Sequence, residues 1–165
     1  GKAPQVDPTA FVSASAELIG DVIVGPRCYI GPYAVIRADA SRIVLEEEVA
    51  VEDGVIIHTG GEDPVVTISR RVTIGHGAII HARVIGPEAS IGMGAVLSLC
   101  SVIGAESALV PQGKIIPPDT LVAGVPAKPL RELTEKDRTD WRETKDWYVR
   151  MAAQYLDPDN YHPVK

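Results

Sequence analysis

Aliphatic residues recur every six positions through most of the chain. They form four series in register: Val12, Leu18, Val24, Ile30 and Ile36; Leu45, Val51 and Ile57; Ile68, Ile74 and Ile80; and Ile85, Ile91, Leu97, Ile103 and Leu109. A helix repeats about every 3.6 residues and a strand every two, so neither element explains a period of six. Hexapeptide repeats are typical of a parallel β-helix, in which each hexapeptide forms one flat face of a prism. The pattern therefore predicts a mainly β fold with an aliphatic interior and, for three faces, about 18 residues a coil.

The composition agrees with a narrow interior of this kind. Of the 165 residues, 45% are hydrophobic but only 5% are aromatic, with 20 Val and 16 Ile against a single Phe. An interior that repeats with every coil has room for Val, Ile and Leu but little room for Phe. A hydrophobic share of this size, with 23% charged residues, indicates a globular protein and excludes a disordered chain.

Charge and hydropathy exclude several functional classes. The net charge of −6 and the pI of about 5.2 argue against nucleic-acid binding, which needs a basic face, and against a polybasic membrane-surface protein. No apolar run approaches the ~18 residues that span a bilayer. Because two isolated cysteines, Cys28 and Cys100, form no disulfide framework, we expect a cytoplasmic protein.

The last 35 residues differ from the body and predict a helix. Thr134 followed by Asp137 resembles a capping box, and Pro158 ends the pattern. Five residues recur at alternating spacings of four and three, on one face of a helix: Trp141, Lys145, Tyr148, Ala152 and Tyr155. We therefore expect a β-helix domain with a Pro-rich exit over residues 1–130, and a C-terminal helix and tail over residues 131–165 packed on it.

The six-residue register breaks in three places. Three extra residues follow Ile36, five extra residues follow Ile57, and one residue is missing after Ile80. Insertions in a solenoid leave as loops on one side and often carry function. Two of the three breaks begin beside a histidine.

The histidines acquire defined positions from this register. His58 follows the inward Ile57 and His81 follows the inward Ile80, so both should lie on one face. They are 23 residues apart, and subtracting the five extra residues leaves 18, which is one coil. His76 belongs to the preceding face and should reach the pair only from a neighbouring subunit. Three histidines with one open position are the pattern of a catalytic zinc site, and polar residues that cap loops at a subunit interface are the alternative interpretation.

Several segments resemble one known family. The strongest are Ile36–Asp39, Glu52–His58 and Ile74–His81, supported by Ile91–Ala95 and Gly124–Lys128. Together they resemble the γ-class carbonic anhydrases over nearly the whole chain. The three-histidine spacing is the specific part, because the hexads and the exit motif also occur in hexapeptide-repeat acyltransferases.

The resemblance implies a fold, an assembly and a site. It implies a left-handed parallel β-helix with a C-terminal α-helix, and a homotrimer with three interfacial metal sites. The implied ion is Zn²⁺, or Fe²⁺ or Co²⁺, with His58, His76 and His81 as its ligands. The implied reaction is the reversible hydration of CO2 to bicarbonate by metal-bound hydroxide.

The resemblance also assigns roles to acidic and basic side chains. It implies that Arg37 and Asp53 pair near the interface and that Asp39 lies close by, although an ion-pair network that stabilises the trimer is an equally good interpretation. Glu52 stands where many relatives have Gln, and an ionised carboxylate accepts hydrogen bonds but donates none. Glu62, Asp63 or Glu52 is expected to pass the proton to solvent, and Glu52 and Glu62 are the expected catalytic carboxylates.

Two other classes of function stay open at this point. A hexapeptide-repeat acyltransferase would use the same prism with one histidine as a general base, and a thioesterase or other metal-dependent hydrolase on this scaffold is a related possibility. A weakly active or inactive carbonic-anhydrase-like protein, which serves as an assembly subunit, is the remaining class. The substitution at Glu52 keeps this last interpretation open.

Overall fold

The computed structural model describes residues 2–59, 65–97, 102–103, 115–123 and 128–160. The strands in chain order are β1 (Gln5–Val6), β2 (Phe11–Val12), β3 (Glu17–Val24), β4 (Tyr29–Ile30), β5 (Val35–Leu45), β6 (Ala50–Val51), β7 (Ile56–His58), β8 (Val65–Ile68), β9 (Thr73–Ile74), β10 (Ile79–Ile80), β11 (Val84–Ile85), β12 (Ser90–Ile91), β13 (Val96–Leu97), β14 (Val102–Ile103), β15 (Ile115–Ile116), β16 (Thr120–Ala123) and β17 (Lys128–Glu132). The single helix of this part, α1, runs from Glu135 to Leu156.

Parallel pairing arranges the short strands on three faces of a prism. Face 1 holds the first halves of β3 and β5 with β7, β10 and β13. Face 2 holds β1, the second halves of β3 and β5, and β8, β11, β14 and β15. Face 3 holds β2, β4, β6, β9 and β12, while β16 and β17 form an antiparallel hairpin. The predicted mainly β, parallel solenoid with a C-terminal helix is therefore confirmed.

The interior consists of aliphatic ranks stacked along each face. On face 1, Ile36 pairs with Ile57, Ile57 with Ile80, and Ile80 with Leu97, and all four side chains are fully buried. Equivalent ranks line the other faces, so each coil covers the apolar surface of the coil before it. Parallel strands lie about 4.8 Å apart, which brings β-branched side chains of successive coils into contact. The period of six is confirmed as the period of this interior, and Leu109 lies outside the described residues.

The first register break is a strand and not the loop that we expected. The three extra residues after Ile36 lie inside β5, which continues from face 1 to face 2. Opposite them the pairing jumps from Gly20–Ala38 to Val22–Ile43. Gly20 has φ +82°, and a Cβ there would lie 2.3 Å from the Ala38 carbonyl oxygen, so glycine is required. The five extra residues of the second break lie outside the described residues.

One corner of the prism carries a ladder of alternating charges that the sequence analysis missed. Four residues at equivalent turns adopt positive φ angles of 54–61°: Arg27, Glu48, Arg71 and Glu88. Arg27 bonds to Glu48 at 2.9 Å, Arg71 also bonds to Glu48, and Arg71 lies 3.2 Å from Glu88. The ladder therefore connects successive coils outside the core, at turns where the backbone is strained.

Helix α1 covers face 3 through an aromatic cluster. Phe11 and Tyr29 precede inward residues and therefore point outward, where their rings lie 5.4 Å apart. Tyr148 stacks near Tyr29 at 5.1 Å and Tyr155 near Phe11 at 5.1 Å. The predicted packing of the helix is confirmed, as is the capping box, in which Thr134 and Asp137 bond reciprocally. The domain boundaries at residues 130 and 131 stay a prediction.

No helix in the described part of the chain is both long and apolar enough to cross a membrane.

Truncating an inward aliphatic side chain should destabilise the fold strongly. Ile68 is fully buried on face 2, so Ile68→Ala should lower the free energy of unfolding by about 2–5 kcal/mol. Ile115 is 74% exposed, and Ile115→Ala should change it by no more than about 0.5 kcal/mol. Urea unfolding at one fixed protein concentration measures both values. Equal losses in the two variants would contradict the inward assignment of Ile68.

Candidate active site

The predicted site residues form two separate clusters in the chain. The first lies at the edge of face 1, where β5 passes to face 2 and where β7 and β10 end. The second lies at a corner of face 3, in the turn between β9 and β10. Each cluster combines histidine with a carboxylate, so each is built from residues that can move a proton.

The first cluster contains the histidine pair that the register predicts. The rings of His58 and His81 lie 5.0 Å apart, because the strands that carry them pair in register. Nε2 of His58 lies 3.0 Å from Asp39, and Arg37 bonds to the other oxygen of that carboxylate at 2.7 Å. The cluster is therefore a chain of contacts from a guanidinium through a carboxylate to two imidazoles.

Electrostatics distinguish the members of this first cluster. Burial alone would raise the pKa of Asp39, but the hydrogen bond from His58 and the charge of Arg37 hold that pKa below its ordinary value. Burial, the adjacent His58 and the charge of Arg37 lower the pKa of His81. These effects favour an ionised Asp39 and a neutral His81.

The second cluster is built around a buried carboxylate. Glu52 lies one coil from the His76 turn, because the adjacent residues Val51 and Ile74 pair in register. One Glu52 oxygen accepts the backbone N–H of His76 at 3.0 Å and lies 3.1 Å from its Nε2. Asp53 lies 3.8 Å from Nδ1 on the other side of the ring. Glu52 therefore fixes both the turn and the imidazole that projects from it.

A cleft of about 600 Å³ opens beside this second cluster. Its floor is face 3 around β9 and β12, one wall is the β16 strand, and the other wall is α1. His76 and Met93 lie at its exposed edge, whereas Glu52 lies inside it. Volumes of 300–1,000 Å³ are typical of small-molecule sites, so this cleft has the size of a substrate pocket.

The sequence of outward residues on face 3 explains why the cleft opens here. From β2 to β12 these residues are Phe11, Tyr29, Ala50, Thr73 and Ser90. The large rings fill the space under one end of α1, but the small residues leave space under the other. The analysis of the sequence missed this gradient because it followed only the inward position of each hexapeptide. The decrease in size of the outward residues from β2 to β12 was the signal that could have located the cleft.

Tyr148 connects the helix to the buried carboxylate. It lines the cleft and its hydroxyl donates a hydrogen bond to Glu52. Burial of the phenol and the negative charge of Glu52 raise the pKa of Tyr148. The phenol therefore stays protonated and adds a donor to the Glu52 carboxylate.

Several predicted contacts do not form within one chain. Arg37 bonds to Asp39, and no ion pair joins it to Asp53 among the described residues. His76 does not approach the His58–His81 pair, in line with its predicted place on another face. In the part of the chain that the structure describes, no group of three or more His, Cys, Asp or Glu side chains converges as metal ligands would. Glu62 lies outside the described residues.

Comparison with known proteins places this architecture in a family. No protein-family model matches the chain. The carnitine operon protein CaiE of Escherichia coli K12 is 40% identical over the whole chain and 87% of its own length. A hexapeptide transferase family protein from Anaplasma phagocytophilum shares 34% identity and a TM-score of 0.86, covering 92% of each chain. The chain belongs to the hexapeptide transferase family. A putative acetyltransferase from Bacillus cereus shares 36% identity and a TM-score of 0.74, over 94% of this chain and 92% of its own.

Family membership corrects three expectations. The predicted γ-class carbonic anhydrase, its lyase reaction on CO2 and its Zn²⁺, Fe²⁺ or Co²⁺ cofactor are wrong, because the related proteins are CaiE and hexapeptide transferases. The hexapeptide repeats, which we took as the weaker part of the resemblance, carried the correct family. The three-histidine spacing, which we took as the specific part, did not identify the family; in the structure Asp39 contacts His58 and Glu52 contacts His76.

The raised pKa of Tyr148 predicts a loss of stability at alkaline pH. Above pH ~10 the phenol ionises in the unfolded chain but stays protonated in the folded protein, so unfolding releases a proton. The free energy of unfolding should therefore fall by up to about 1.4 kcal/mol per pH unit above pH ~10. Urea unfolding between pH 8 and 11 should show a shallower slope for Tyr148→Phe.

A matched variant controls for general effects of a lost hydroxyl. Tyr33 is 73% exposed, and Tyr33→Phe should keep the slope of the unchanged protein. If Tyr148→Phe and Tyr33→Phe give the same slope, the burial of the Tyr148 phenol is not what governs the alkaline loss.

Proposed function

We propose that this protein is an acyltransferase that moves an acyl group from a CoA thioester to a small acceptor with a hydroxyl or an amine. The observation that carries the proposal is the buried Glu52 carboxylate that holds His76 at the edge of the cleft. Membership of the hexapeptide transferase family and the similarity to a putative acetyltransferase support it. His76 is the proposed general base and Glu52 its positioning residue.

The contacts of the imidazole define which nitrogen acts. Nε2 is 3.1 Å from the Glu52 carboxylate, which accepts hydrogen bonds and donates none, so Nε2 carries the proton. Nδ1 then holds the free lone pair. A base must lie within hydrogen-bond reach of the proton that it removes. We therefore assign Nδ1 of His76 as the atom that receives the acceptor's proton.

The reaction balances with these groups alone. Nδ1 of His76 takes the proton of the acceptor O–H or N–H as the oxygen or nitrogen attacks the thioester carbonyl carbon. A new C–O or C–N bond forms and gives a tetrahedral intermediate. The C–S bond then breaks, the acyl group stays on the acceptor, and the thiolate of CoA receives the proton from His76. The Glu52 carboxylate stabilises the imidazolium that exists between the two transfers.

The cleft fits a thioester with a polar chain and an apolar acyl group. Ile91, Met93 and Leu121 offer apolar surface, whereas Thr73, Ser90 and Thr144 offer hydroxyls. Oγ1 of Thr73 is buried and has no hydrogen-bond partner among the described residues. A buried hydroxyl without a partner is costly, so a ligand oxygen or amide in the cleft would stabilise the site.

We also propose that the site is completed in a homotrimer. Three outward aliphatic residues lie in register on face 1, and they are 41%, 38% and 53% exposed: Ile56, Ile79 and Val96. A continuous apolar stripe of this kind is typical of a surface that another chain covers. The stripe adjoins the first cluster, so a neighbouring copy on face 1 could place its His76 cleft beside that cluster.

In such a trimer, the first cluster of one chain would help to bind the acceptor at the His76 cleft of the neighbouring chain. Arg37 is half-exposed and could hold an anionic group of the acceptor. Asp39 orients Arg37 and His58, and His81 stays neutral beside them. Asp53 faces Nδ1 of His76 at 3.8 Å, where it could attract an ammonium group of an amine acceptor. Glu62 stays a candidate from the sequence alone.

Loss of the base or of its positioning residue should reduce turnover. His76→Ala should lower kcat by about 10²–10⁴, the usual contribution of a general base, and leave KM for the thioester within a few-fold. Glu52→Gln should also lower kcat, because the amide can donate to Nε2 and so favour the other tautomer. This loss should be smaller than the loss in His76→Ala. The measurement is the release of free CoA from acetyl- and longer acyl-CoA with a panel of amine and alcohol acceptors.

The control is a surface carboxylate in a different turn, between β5 and β6. Glu47 is exposed and remote from the cleft, and Glu47→Gln should keep the activity of the unchanged protein. Release of CoA at the same rate with and without any acceptor would mean hydrolysis and would overturn acyl transfer. Activity of His76→Ala equal to that of Glu47→Gln would overturn the role of His76.

The assembly is tested separately from the chemistry. Ile79→Lys places a charge in the apolar stripe, so light scattering after size exclusion should show a fall from three chains to one. Val65→Lys, at 36% exposure on face 2, should leave the mass at three chains. A single chain in the unchanged protein at micromolar concentration would contradict the homotrimer.

A further inference from the structure

Ser90 and Lys145 meet at the boundary of the cleft. Ser90 lies in β12 and lines the cleft floor, and the Lys145 side chain reaches it from α1. Nζ of Lys145 lies 2.8 Å from Oγ of Ser90. A hydroxyl within hydrogen-bond reach of an amine has the geometry of a nucleophile and its general base, and serine–lysine pairs act in this way on unrelated folds. The proton transfers assigned to His76 do not use this pair, so it is a second candidate site in the cleft.

The fold holds both members of the pair in one position. Ser90 points outward from face 3 because its neighbour Ile91 is inward and buried. Lys145 lies on the prism side of α1 and is only 3% exposed. The centre of the Trp141 ring lies 5.9 Å from its Nζ. The amine is therefore shielded from water, which is uncommon for a lysine side chain.

A second cavity of about 440 Å³, here called the basic cavity, lies on the other side of Lys145. Glu88, the one carboxylate that lines it among the described residues, lies 3.2 Å from Arg71. Arg138 also lines this cavity and bonds to an aspartate outside its lining at 2.7 Å. Arg142 makes no ion pair in the described part of the chain, so the excess charge that faces Lys145 from this side is positive.

The cleft side of the pair carries one carboxylate among the described residues, that of Glu52. It accepts the backbone N–H of His76 and the hydroxyl of Tyr148, which disperses its negative charge. Burial disfavours an ammonium, and so does the positive charge of the basic cavity. These surroundings favour the neutral amine of Lys145, which is the form that accepts a proton from Ser90.

Thr73 places a hydrogen-bond donor beside the pair. Thr73 and Ser90 are partners in register on adjacent strands, which lie about 4.8 Å apart. Thr73 is 6% exposed, and its Oγ1 has no hydrogen-bond partner among the described residues. The carbonyl oxygen of an acyl group bonded to Ser90 would lie between the two side chains, where the Thr73 hydroxyl can donate to it. Donors aimed at the developing oxyanion are a main source of catalysis in acyl chemistry.

We propose that Ser90 and Lys145 hydrolyse small uncharged carboxylic esters in the cleft, an activity that goes beyond acyl transfer from CoA. Ser90 is the nucleophile, Lys145 is its general base, and Thr73 donates to the oxyanion. The volume of about 600 Å³ and the apolar wall of the cleft suit a small ester. The charge of Glu52 inside the cleft opposes an anionic ester.

The two half-reactions balance with an ester and water as the only reactants. Lys145 takes the proton of Ser90 as Oγ attacks the ester carbonyl carbon, and a C–O bond to Ser90 forms. The bond to the alcohol oxygen then breaks, and the alcohol leaves with the proton from Lys145. Water attacks the acyl-serine in the same way while Lys145 takes the water proton. The Ser90 ester bond breaks, the carboxylic acid is released, and Ser90 regains its proton.

An alkyl fluorophosphonate tests the pair without CoA. Such a probe phosphonylates an activated serine, with a new Oγ–P bond and loss of fluoride. We expect one phosphonate per chain, located on Ser90 by peptide mass spectrometry, at a rate that rises with pH as the amine fraction of Lys145 grows. Lys145→Met should slow the labelling by about 10²–10⁴, the usual contribution of a general base. Ser90→Ala should abolish it.

Two further lysine variants separate proton transfer from a structural role. Lys145→Arg keeps a donor and a positive charge but cannot take the proton, so labelling should fall as in Lys145→Met. Lys136, on the same helix, has an 81% exposed side chain, and Lys136→Met should be labelled as the unchanged protein is. Urea unfolding identifies any variant that does not fold. Labelling of folded Lys145→Arg at the unchanged rate would overturn the role of Lys145, and a phosphonate on any residue other than Ser90 would overturn the site.

Hydrolysis of two matched esters tests the substrate class. The unchanged protein should hydrolyse p-nitrophenyl butyrate, with a kcat/KM that falls about 10²-fold or more in Ser90→Ala. Mono-p-nitrophenyl succinate has a chain of similar length that ends in a carboxylate. It should react at least about tenfold more slowly, because like charges in one cleft repel. Equal rates for the two esters would contradict the assignment to uncharged substrates.

Assays with CoA distinguish this inference from the proposed function. Transfer from acyl-CoA, in a protein whose Ser90 resists the fluorophosphonate, would overturn ester hydrolysis and leave acyl transfer standing. Labelled Ser90 and hydrolysis of p-nitrophenyl butyrate, in a protein that transfers no acyl group from CoA, would support the pair and overturn the proposed function.

Discussion

Stacking of β-branched residues from one coil onto the next is the constraint on which the whole molecule depends. Each inward Ile or Val is buried only because the coil on either side covers it, as Ile57 is covered by Ile36 and Ile80. A slip of one residue would turn every side chain of that strand to the opposite side. The interior therefore fixes, coil by coil, where the outward and corner residues lie. It is this fixed register that brings His58 to His81 and Glu52 to His76.

The same narrow interior explains why the aromatic cluster and the cleft lie on the outer surface of the prism. Aromatic rings do not fit in the prism, so Phe11 and Tyr29 lie on face 3 and hold one end of α1 through Tyr148 and Tyr155. The outward residues then shrink to Ala50, Thr73 and Ser90 while the helix continues straight above them, which leaves the cleft and the basic cavity beyond it. The cleft is thus the space that the aromatic cluster does not fill.

The sequence predicted the parts of the molecule that the period of six describes. The inward ranks, the position of His58 one coil from His81, and the packed face and cap of α1 all followed from spacing. Turn positions recur once a coil, but their side chains change from one coil to the next, so the charge ladder through Arg71 and the bond from Glu52 to His76 were not predicted. The predicted function was wrong because the histidine spacing was given more weight than the hexapeptide repeats, which are the feature shared with the related transferases. Spacing did place His58 beside His81 correctly.

The role of Glu52 follows from its contacts in the fold and not from its position in the sequence pattern. In the sequence it was a departure from the glutamine of the carbonic anhydrase pattern, and an unwanted charge near a bound anion. In the fold this carboxylate accepts the backbone N–H of His76 and the hydroxyl of Tyr148, and it lies 3.1 Å from Nε2 of the His76 ring. A glutamine there would present N–H groups to donors and leave one contact unsatisfied. A carboxylate at this position suits a histidine that must hold a proton between two steps, which is the requirement of acyl transfer and not of metal-bound hydroxide.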